Sequence, residues 1–357
     1  MISRRGLLAG GASAFAAPAF AQTGSLRAVA QSRGLTFGSA AATYELKDGD
    51  FVSALVRDAA QLVPEYEMKR DVLQPEPGRY DFSDLDRLFD FAAQRGLSMR
   101  GHTLVWYYAN PAWLPPMLAA RRSERLLTDH VQTVMKRYPM ASVDVVNEAL
   151  APPGEEIRAD GFRPSIWLDA FGVNHIDLAF HAARAAAPKV QLVYNDWGSE
   201  QGAPENDRFR ARTLRLLDGL LKRRVPVDAL GIQGHLSAFG NKVDQRKFAA
   251  FLREIEARGL AILITELDVE DTGGPSDIAV RDRAVADEAR HFLDVALDSR
   301  AVKTVLTWNL SDRYVDPPDE WKLKLMNWRF RKTPYDTAMR KKPLWQALAQ
   351  SFAARRV

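Results

Sequence analysis

The chain has 357 residues, 46% hydrophobic and 26% charged, with no cysteine. That is the composition of a globular chain long enough for one large domain or two medium ones, too charged for a membrane bundle and too apolar for disorder. Disulfide scaffolds, zinc–thiolate sites and cysteine nucleophiles are excluded. With 49 Lys and Arg against 45 Asp and Glu, the net charge of +4 is too thin an excess to imply a nucleic-acid partner. Basic runs such as Lys222-Arg223-Arg224 and Arg340-Lys341-Lys342 read as solvated faces.

The amino terminus reads as an address. Ser3-Arg4-Arg5-Gly6-Leu7-Leu8 precedes a small-residue apolar run that ends in Ala19-Phe20-Ala21. Paired arginines and an A-x-A end resemble a bacterial twin-arginine export signal, with residues 1–21 removed and Gln22 as the first mature residue. The alternative, a membrane anchor, suits the sequence less well, because Gly10-Gly11 and Pro18 interrupt a run already shorter than the ~20 residues a spanning helix needs. The expectation is a periplasmic or secreted chain, without membrane contact after cleavage, that acts as a monomer.

From there, short β-rich segments recur at 35–38, 61–63, 97–106, 143–146, 190–194, 229–235, 261–267 and 302–308. Amphipathic helices lie between several of them. Leu85, Leu88, Phe89 and Ala92 have helical spacing and precede Gly96; Phe248, Phe251, Leu252 and Ile255 precede Gly259, glycine being favoured just past a helix end. Eight such units predict an α/β fold, a (β/α)8 TIM barrel forming a single domain over 22–357. A doubly wound sheet is the second choice, and it would more usually carry a G-x-G-x-x-G turn, which is absent.

Barrel enzymes carry their chemistry at the carboxyl ends of strands. Here apolar runs lead into Asn147-Glu148, Tyr194-Asn195-Asp196, Gln233-Gly234-His235 and Glu266-Leu267-Asp268, and Trp308 closes the last one. Any one of these reads equally well as a helix cap; five together do not. Strand alternation groups Gln233 with His235 and Glu266 with Asp268. Carboxylates from separate strands, surrounded by aromatic rings, amides and imidazoles, are what glycosidic cleavage requires, one to protonate the leaving oxygen and one to attack or assist at the anomeric carbon. A metal centre is not expected, since none of the six histidines forms an H-x3-H or H-E-x-x-H pair. No G-x-S-x-G supports a serine hydrolase.

The strings Gly101-His102-Thr103-Leu104-Val105-Trp106, Asp144-Val145-Val146-Asn147-Glu148-Ala149, Tyr194-Asn195-Asp196, Gly231-Ile232-Gln233-Gly234-His235-Leu236 and Ile264-Thr265-Glu266-Leu267-Asp268, in this order, resemble glycoside hydrolase family ten, the retaining endo-β-1,4-xylanases. The resemblance implies a β-1,4-xylan or xylo-oligosaccharide substrate, no cofactor and no metal. It implies Glu148 as general acid/base and Glu266 as nucleophile, with His235, Asp268 and Asn147 in support. It also implies that Glu65, Lys69, His102, Trp106, Tyr107, Asn195, Gln233 and Trp308 line the sugar subsites. Plainer readings stand beside these: Trp106 and Trp308 as barrel core, Glu65 and Lys69 as an exposed helical ion pair, and His130, His175, His181 and His291 as surface or packing residues.

The chain departs from the family pattern where Glu65-Tyr66-Glu67-Met68-Lys69-Arg70 replaces Glu-Asn-x-Met-Lys-Trp and where Tyr107 replaces a second histidine. Trp197-Gly198 follows strand five in place of Tyr-Asn, and the loop after Trp308 contains an unusual Asp316-Pro317-Pro318-Asp319-Glu320 run. All four changes are expected to touch sugar subsites. A related β-glycanase or transglycosylase, or a sugar-binding barrel without activity, are the alternatives.

Overall fold

The computed structural model describes residues 24–155, 158–315 and 328–356; the expected export signal and most of the loop after Trp308 lie outside these. Eight parallel strands form the barrel: β1 Thr36–Ala41, β2 Gln61–Pro64, β3 Ser98–Gly101, β4 Ser142–Asn147, β5 Gln191–Asp196, β6 Ala229–Ile232, β7 Ala261–Glu270 and β8 Val302–Thr307. Each pairs with the next, and β1 pairs with β8 with Phe37 opposite Val305, which closes the ring. Closure leaves no unpaired strand edge among them.

Outside the ring run α1 Gly49–Asp58, α2 Ser83–Gln94, α3 Arg125–Arg137, α4 Asn174–Ala186, α5 Pro204–Lys222, α6 Gln245–Ala257, α7 Ile278–Ala296 and α8 Pro343–Ala354. Their starts follow local chemistry. The Asp48 carboxylate accepts from the Asp50 and Phe51 amides, Asp244 from Lys247, and Asp277 from Ala279 and Val280, while α5 and α8 open with proline at the first turn, where its missing N–H costs nothing. The apolar stripes of α2 and α6 foreseen from spacing are the buried ones. They press on the outer face of the sheet, as Phe37 of β1 does against Phe352 of α8 at 5.5 Å between ring centroids. Truncating such a buried ring costs about 3–5 kcal/mol.

Inside the ring are two smaller apolar groups. One comprises Val193, Ala229 and Leu263; the other comprises Ala40, Val63 and Leu306 and is capped by Trp308. Two expected strands are interrupted. The segment 97–106 breaks after Gly101, where the Leu104 amide turns to the Asp144 carbonyl at 3.0 Å, and pairing resumes only at Val105–Trp106. The segment 229–235 ends at Ile232, turns at Gly234 with φ 80°, and resumes as His235–Ser237 beside β7. Gln233 and His235 therefore reach the same region by a turn and not by strand alternation.

Candidate active site

The carboxyl ends of β4 to β7 meet in one hydrogen-bonded group of side chains. Glu266, on the uninterrupted strand β7, is 5% exposed. One of its oxygens accepts from Asn195 Nδ2 of β5 at 2.8 Å, and the other lies 3.3 Å from His235 Nε2. The second nitrogen of that imidazole meets Asp268 at 2.7 Å, and Lys332 approaches the far oxygen of Asp268 at 2.7 Å. Glu266 and Asp268, two residues apart on one strand, thus hold the two nitrogens of one ring. Burial pushes the Glu266 carboxyl up, but the hydrogen bond from His235 and the electrostatic influence of His102 and His235 outweigh it, so it stays below its usual range. Burial pulls His235 down, yet Asp268 and Glu266 together push it up to about 10. Asp268 is brought down to about 2, since Lys332 and His235 overcome the effect of its burial. Near neutral pH this assembly is carboxylate, imidazolium, carboxylate and ammonium, and the imidazolium donates to both sides.

Glu148 follows β4 with φ 55°, the left-handed region that a side chain occupies at a cost of order 1–3 kcal/mol and that clusters at functional sites. Asn147 Nδ2 and Gln233 Nε2 both donate to its Oε1 at 3.0 Å. Asn195 Nδ2 donates to Asn147 Oδ1 at 2.8 Å as well as to Glu266. A chain of amides, Asn147 then Asn195, therefore links the two glutamates. Thr265 fixes the far side of Asn195 by donating to its Oδ1 at 2.7 Å. Gly231 makes room for it, since a Cβ there would fall 2.2 Å from that oxygen.

Beneath this group, inside the barrel, Asp144 is fully buried and bound through both oxygens by Arg100. His102 Nδ1 meets the same carboxylate at 3.0 Å and lies 3.9 Å from Glu266. Among the described residues, His102, Asp144 and Glu266 bring three metal-ligand types within 4.8 Å of one another. A cation there would have to compete with the Arg100 fork for Asp144, so the donor set fits an ion-pair network better than a metal.

Residues 25–351 match the description of glycosyl hydrolase family 10. The chain belongs to this family. It is 29% identical to endo-1,4-beta-xylanase 1 of Humicola insolens over 83% of its own length and 66% of that protein's, just under two-thirds. It is 30% identical to endo-1,4-beta-xylanase B of Thermotoga neapolitana, over 81% of its own length and 82% of that protein's. Among solved structures it superposes with TM-score 0.80 on xylanase 10B from Thermotoga petrophila in complex with xylobiose, at 27% identity, covering 93% of this chain and 98% of that one.

The other residues that the resemblance singles out sit at the ends of β2, β3 and β8. Trp308 seals the inner apolar group and meets His102 edge-on at 5.2 Å, so it belongs to both the core and the cleft. Trp106 is half-buried, with Lys69 Nζ 5.4 Å above its ring; Tyr66 approaches the same ammonium at 4.7 Å. Residues 65–69 form a turn after β2 and not a helix, which removes the reading of Glu65 and Lys69 as a surface helical pair. Glu65 is buried beside Glu45, and Asn309 Nδ2 donates to both, at 2.6 Å to Glu45 and 3.2 Å to Glu65. Burial pushes Glu45 up to about 8 and also raises Glu65.

Within the first of the four departures from the family-10 pattern, Arg70 faces away from the sugar-binding side chains. Arg70 is buried, donates to the Leu126 carbonyl at 2.7 Å and lies over Trp113 and Trp167; the cation fills apolar space behind the wall that a tryptophan could otherwise occupy. Trp197-Gly198 turns tightly: at Gly198, φ 103°, a Cβ would meet Pro153 at 2.5 Å. Of the histidines without a motif, His130 and His175 are buried and His181 is exposed. Sequence reasoning missed Arg163, 3.5 Å from Glu148, together with Lys332, the Arg100–Asp144 pair and the hydrogen bond from Thr265 to Asn195. Arg163 and Lys332 lie in irregular segments where no period marks a face. Arg100 and Asp144 carried a signal, each being a charge inside an apolar strand.

Proposed function

We propose that the chain is an endo-1,4-β-xylanase that cleaves the β-1,4-linked backbone of xylan by double displacement. The observation that carries this reading is the amide-linked pair Glu148 and Glu266, of which Glu266 is held ionised by an imidazolium. In the first step a Glu266 oxygen forms a bond to the anomeric carbon as the glycosidic C–O bond breaks, and the proton on Glu148 passes to the departing oxygen. In the second, water attacks the same carbon, gives its proton to Glu148, and the ester bond to Glu266 breaks. Two inversions return the original configuration. Asn147 binds the hydroxyl next to the reacting carbon, and His102, Trp106, Tyr107, Gln233, Trp308, Glu65 and Lys69 form the walls and the glycone side.

Xylan is favoured as the substrate because the relatives that match over most of this chain bear xylanase names. Chromatography of products from linear and decorated xylan tests the proposal: xylo-oligosaccharides in the early digest support endo cleavage, and no reducing sugar from any xylan contradicts it. Tyr66 and Tyr107 favour a second reading, a retaining β-glycanase or transglycosylase with changed donor-side subsites, which a glycan panel separates from the first. We further propose that residues 1–21 direct twin-arginine export and that the enzyme works as a monomer outside the cytoplasm. Cell fractionation with Arg4 and Arg5 changed to Lys tests the export: the precursor is then retained inside.

A further inference from the structure

Glu148 has a cation behind it that the double-displacement scheme does not use. Arg163, in the loop after β4, donates from Nε to the Glu148 carbonyl at 3.2 Å, while its own amide donates to the Ala149 carbonyl at 2.9 Å. Its Nη2 stands 3.5 Å from Glu148 Oε2, with both side chains about one-tenth exposed. That nitrogen is buried and makes no hydrogen bond in the resting arrangement. The guanidinium lies 4.2 Å over the Tyr107 ring, and Tyr107 is the position where the family pattern has histidine. A histidine could become cationic and repel the guanidinium; a phenol ring attracts it.

The other groups facing Glu148 come from every neighbouring element. Asn147 on β4 and Gln233 after β6 donate to it, Asp196 on β5, Tyr107 after β3 and His175 near the start of α4 lie around it, Tyr194 donates to Asp196, Glu155 acts on Tyr107, and Glu266 is linked to it through the Asn147 and Asn195 amides. Burial and the charge of Glu148 raise Asp196 to about 8, burial raises the Tyr107 and Tyr194 phenols, and burial lowers His175. Each of these shifts favours the uncharged form. Among the described residues, Arg163 is the cation within ion-pair distance of Glu148.

We propose that Arg163, held by the Tyr107 ring, is a positioning residue that favours the ionised form of Glu148, setting the upper pH limit of the first step and keeping the carboxylate oriented through the life of the glycosyl intermediate. This rests on the reading of Glu148 as acid/base. While Glu266 is ionised its charge opposes Arg163 and favours the proton on Glu148. Once Glu266 is esterified that opposition is gone, and Arg163 acts on Glu148 alone.

Carboxyl NMR of the full chain carrying 13C-labelled glutamate tests this without turnover, with Glu148 assigned by the signal lost in Glu148→Gln. In Arg163→Gln the Glu148 midpoint moves up by about one pH unit, and the basic limb of kcat/KM on xylan moves up with it. Arg163→Lys restores most of the wild-type midpoint. Tyr107→Ala, which leaves the cation but removes its seat, moves the midpoint in the same direction by a smaller step and carries the test if Arg163→Gln does not fold. An unmoved midpoint overturns the proposal, and so does an equal rise in Arg163→Lys and Arg163→Gln. A wild-type chain inert on xylan whose midpoint still responds to Arg163 counts against the xylanase reading alone.

Discussion

Replacing Asp268 by Asn tests the electrostatic support of Glu266. The His235 imidazolium lies at about 10 against an ordinary 6.5, a difference of about 5 kcal/mol at ~1.4 kcal/mol per pH unit. The ring is 34% exposed, and solvent screening reduces that to about 2 kcal/mol. Asp268, at 2.7 Å, supplies about half, and stranding Lys332 adds a further ~1–2 kcal/mol, so Asp268→Asn is expected to cost about 2–3 kcal/mol at pH 5. The pH dependence has a defined sign. Asp268 lies below its unfolded value, so its contribution is present above about pH 4 and is lost as pH falls through about 2. His235 lies above its unfolded value, so its contribution is complete below about pH 6.5 and is lost as pH rises through about 10. Urea unfolding at pH 5 and pH 10 should therefore give a difference between variant and wild type about 1 kcal/mol smaller at pH 10. On xylan, kcat should fall by about 10–100-fold with little change in KM, because a less charged His235 stabilises Glu266 less as the departing carboxylate of the second step. A loss below about 0.5 kcal/mol at pH 5, independent of pH and with unchanged kcat, would refute this electrostatic account.

Two further outcomes concern Glu45 and Tyr66. Glu45 keeps its proton to about pH 8 when folded, through burial first of all, whereas the unfolded chain releases it near 4.5, so wild-type stability declines as pH rises between these values. Glu45→Gln should flatten that decline by up to about 1 kcal/mol per pH unit, read from urea midpoints between pH 5 and 8; parallel curves would contradict the assignment. Tyr66→Asn puts back the amide of the family pattern beside Lys69 and should lower KM for linear xylo-oligosaccharides about fivefold, the worth of one hydrogen bond, with kcat nearly unchanged. A raised KM would mean that the tyrosine itself binds sugar.

The barrel was legible because each strand is a short apolar run that ends in polar residues, and the intervening stripes at Leu85–Ala92 spacing leave one helix face apolar. Glu148 and Glu266 were legible for the same reason, since carboxylates at the carboxyl ends of β4 and β7 have no packing use there. The interruption at Gly234 was not, because the sequence around it alternates as a continuous strand would; its φ of 80° is what separates β6 from His235. Arg163 and Lys332 were invisible because each reaches its carboxylate from an irregular segment, and proximity across loops leaves no periodic trace. Arg70 misled for a physical reason: a charged residue at a tryptophan position suggests a solvent-facing change, whereas its guanidinium is buried between indole rings with a carbonyl to bind.

The central claim, that Glu266 is the nucleophile and Glu148 the acid/base, is tested most directly by azide rescue on an aryl β-glycoside with a good leaving group. With Glu266 changed to Ala, azide takes the vacated space and attacks the anomeric carbon once, so NMR of the product should show the α-glycosyl azide. With Glu148 changed to Ala, azide intercepts the glycosyl–Glu266 ester and the product should be the β-azide. A β-azide from the Glu266 variant, or an α-azide from the Glu148 variant, would contradict the assignment of the two carboxylates.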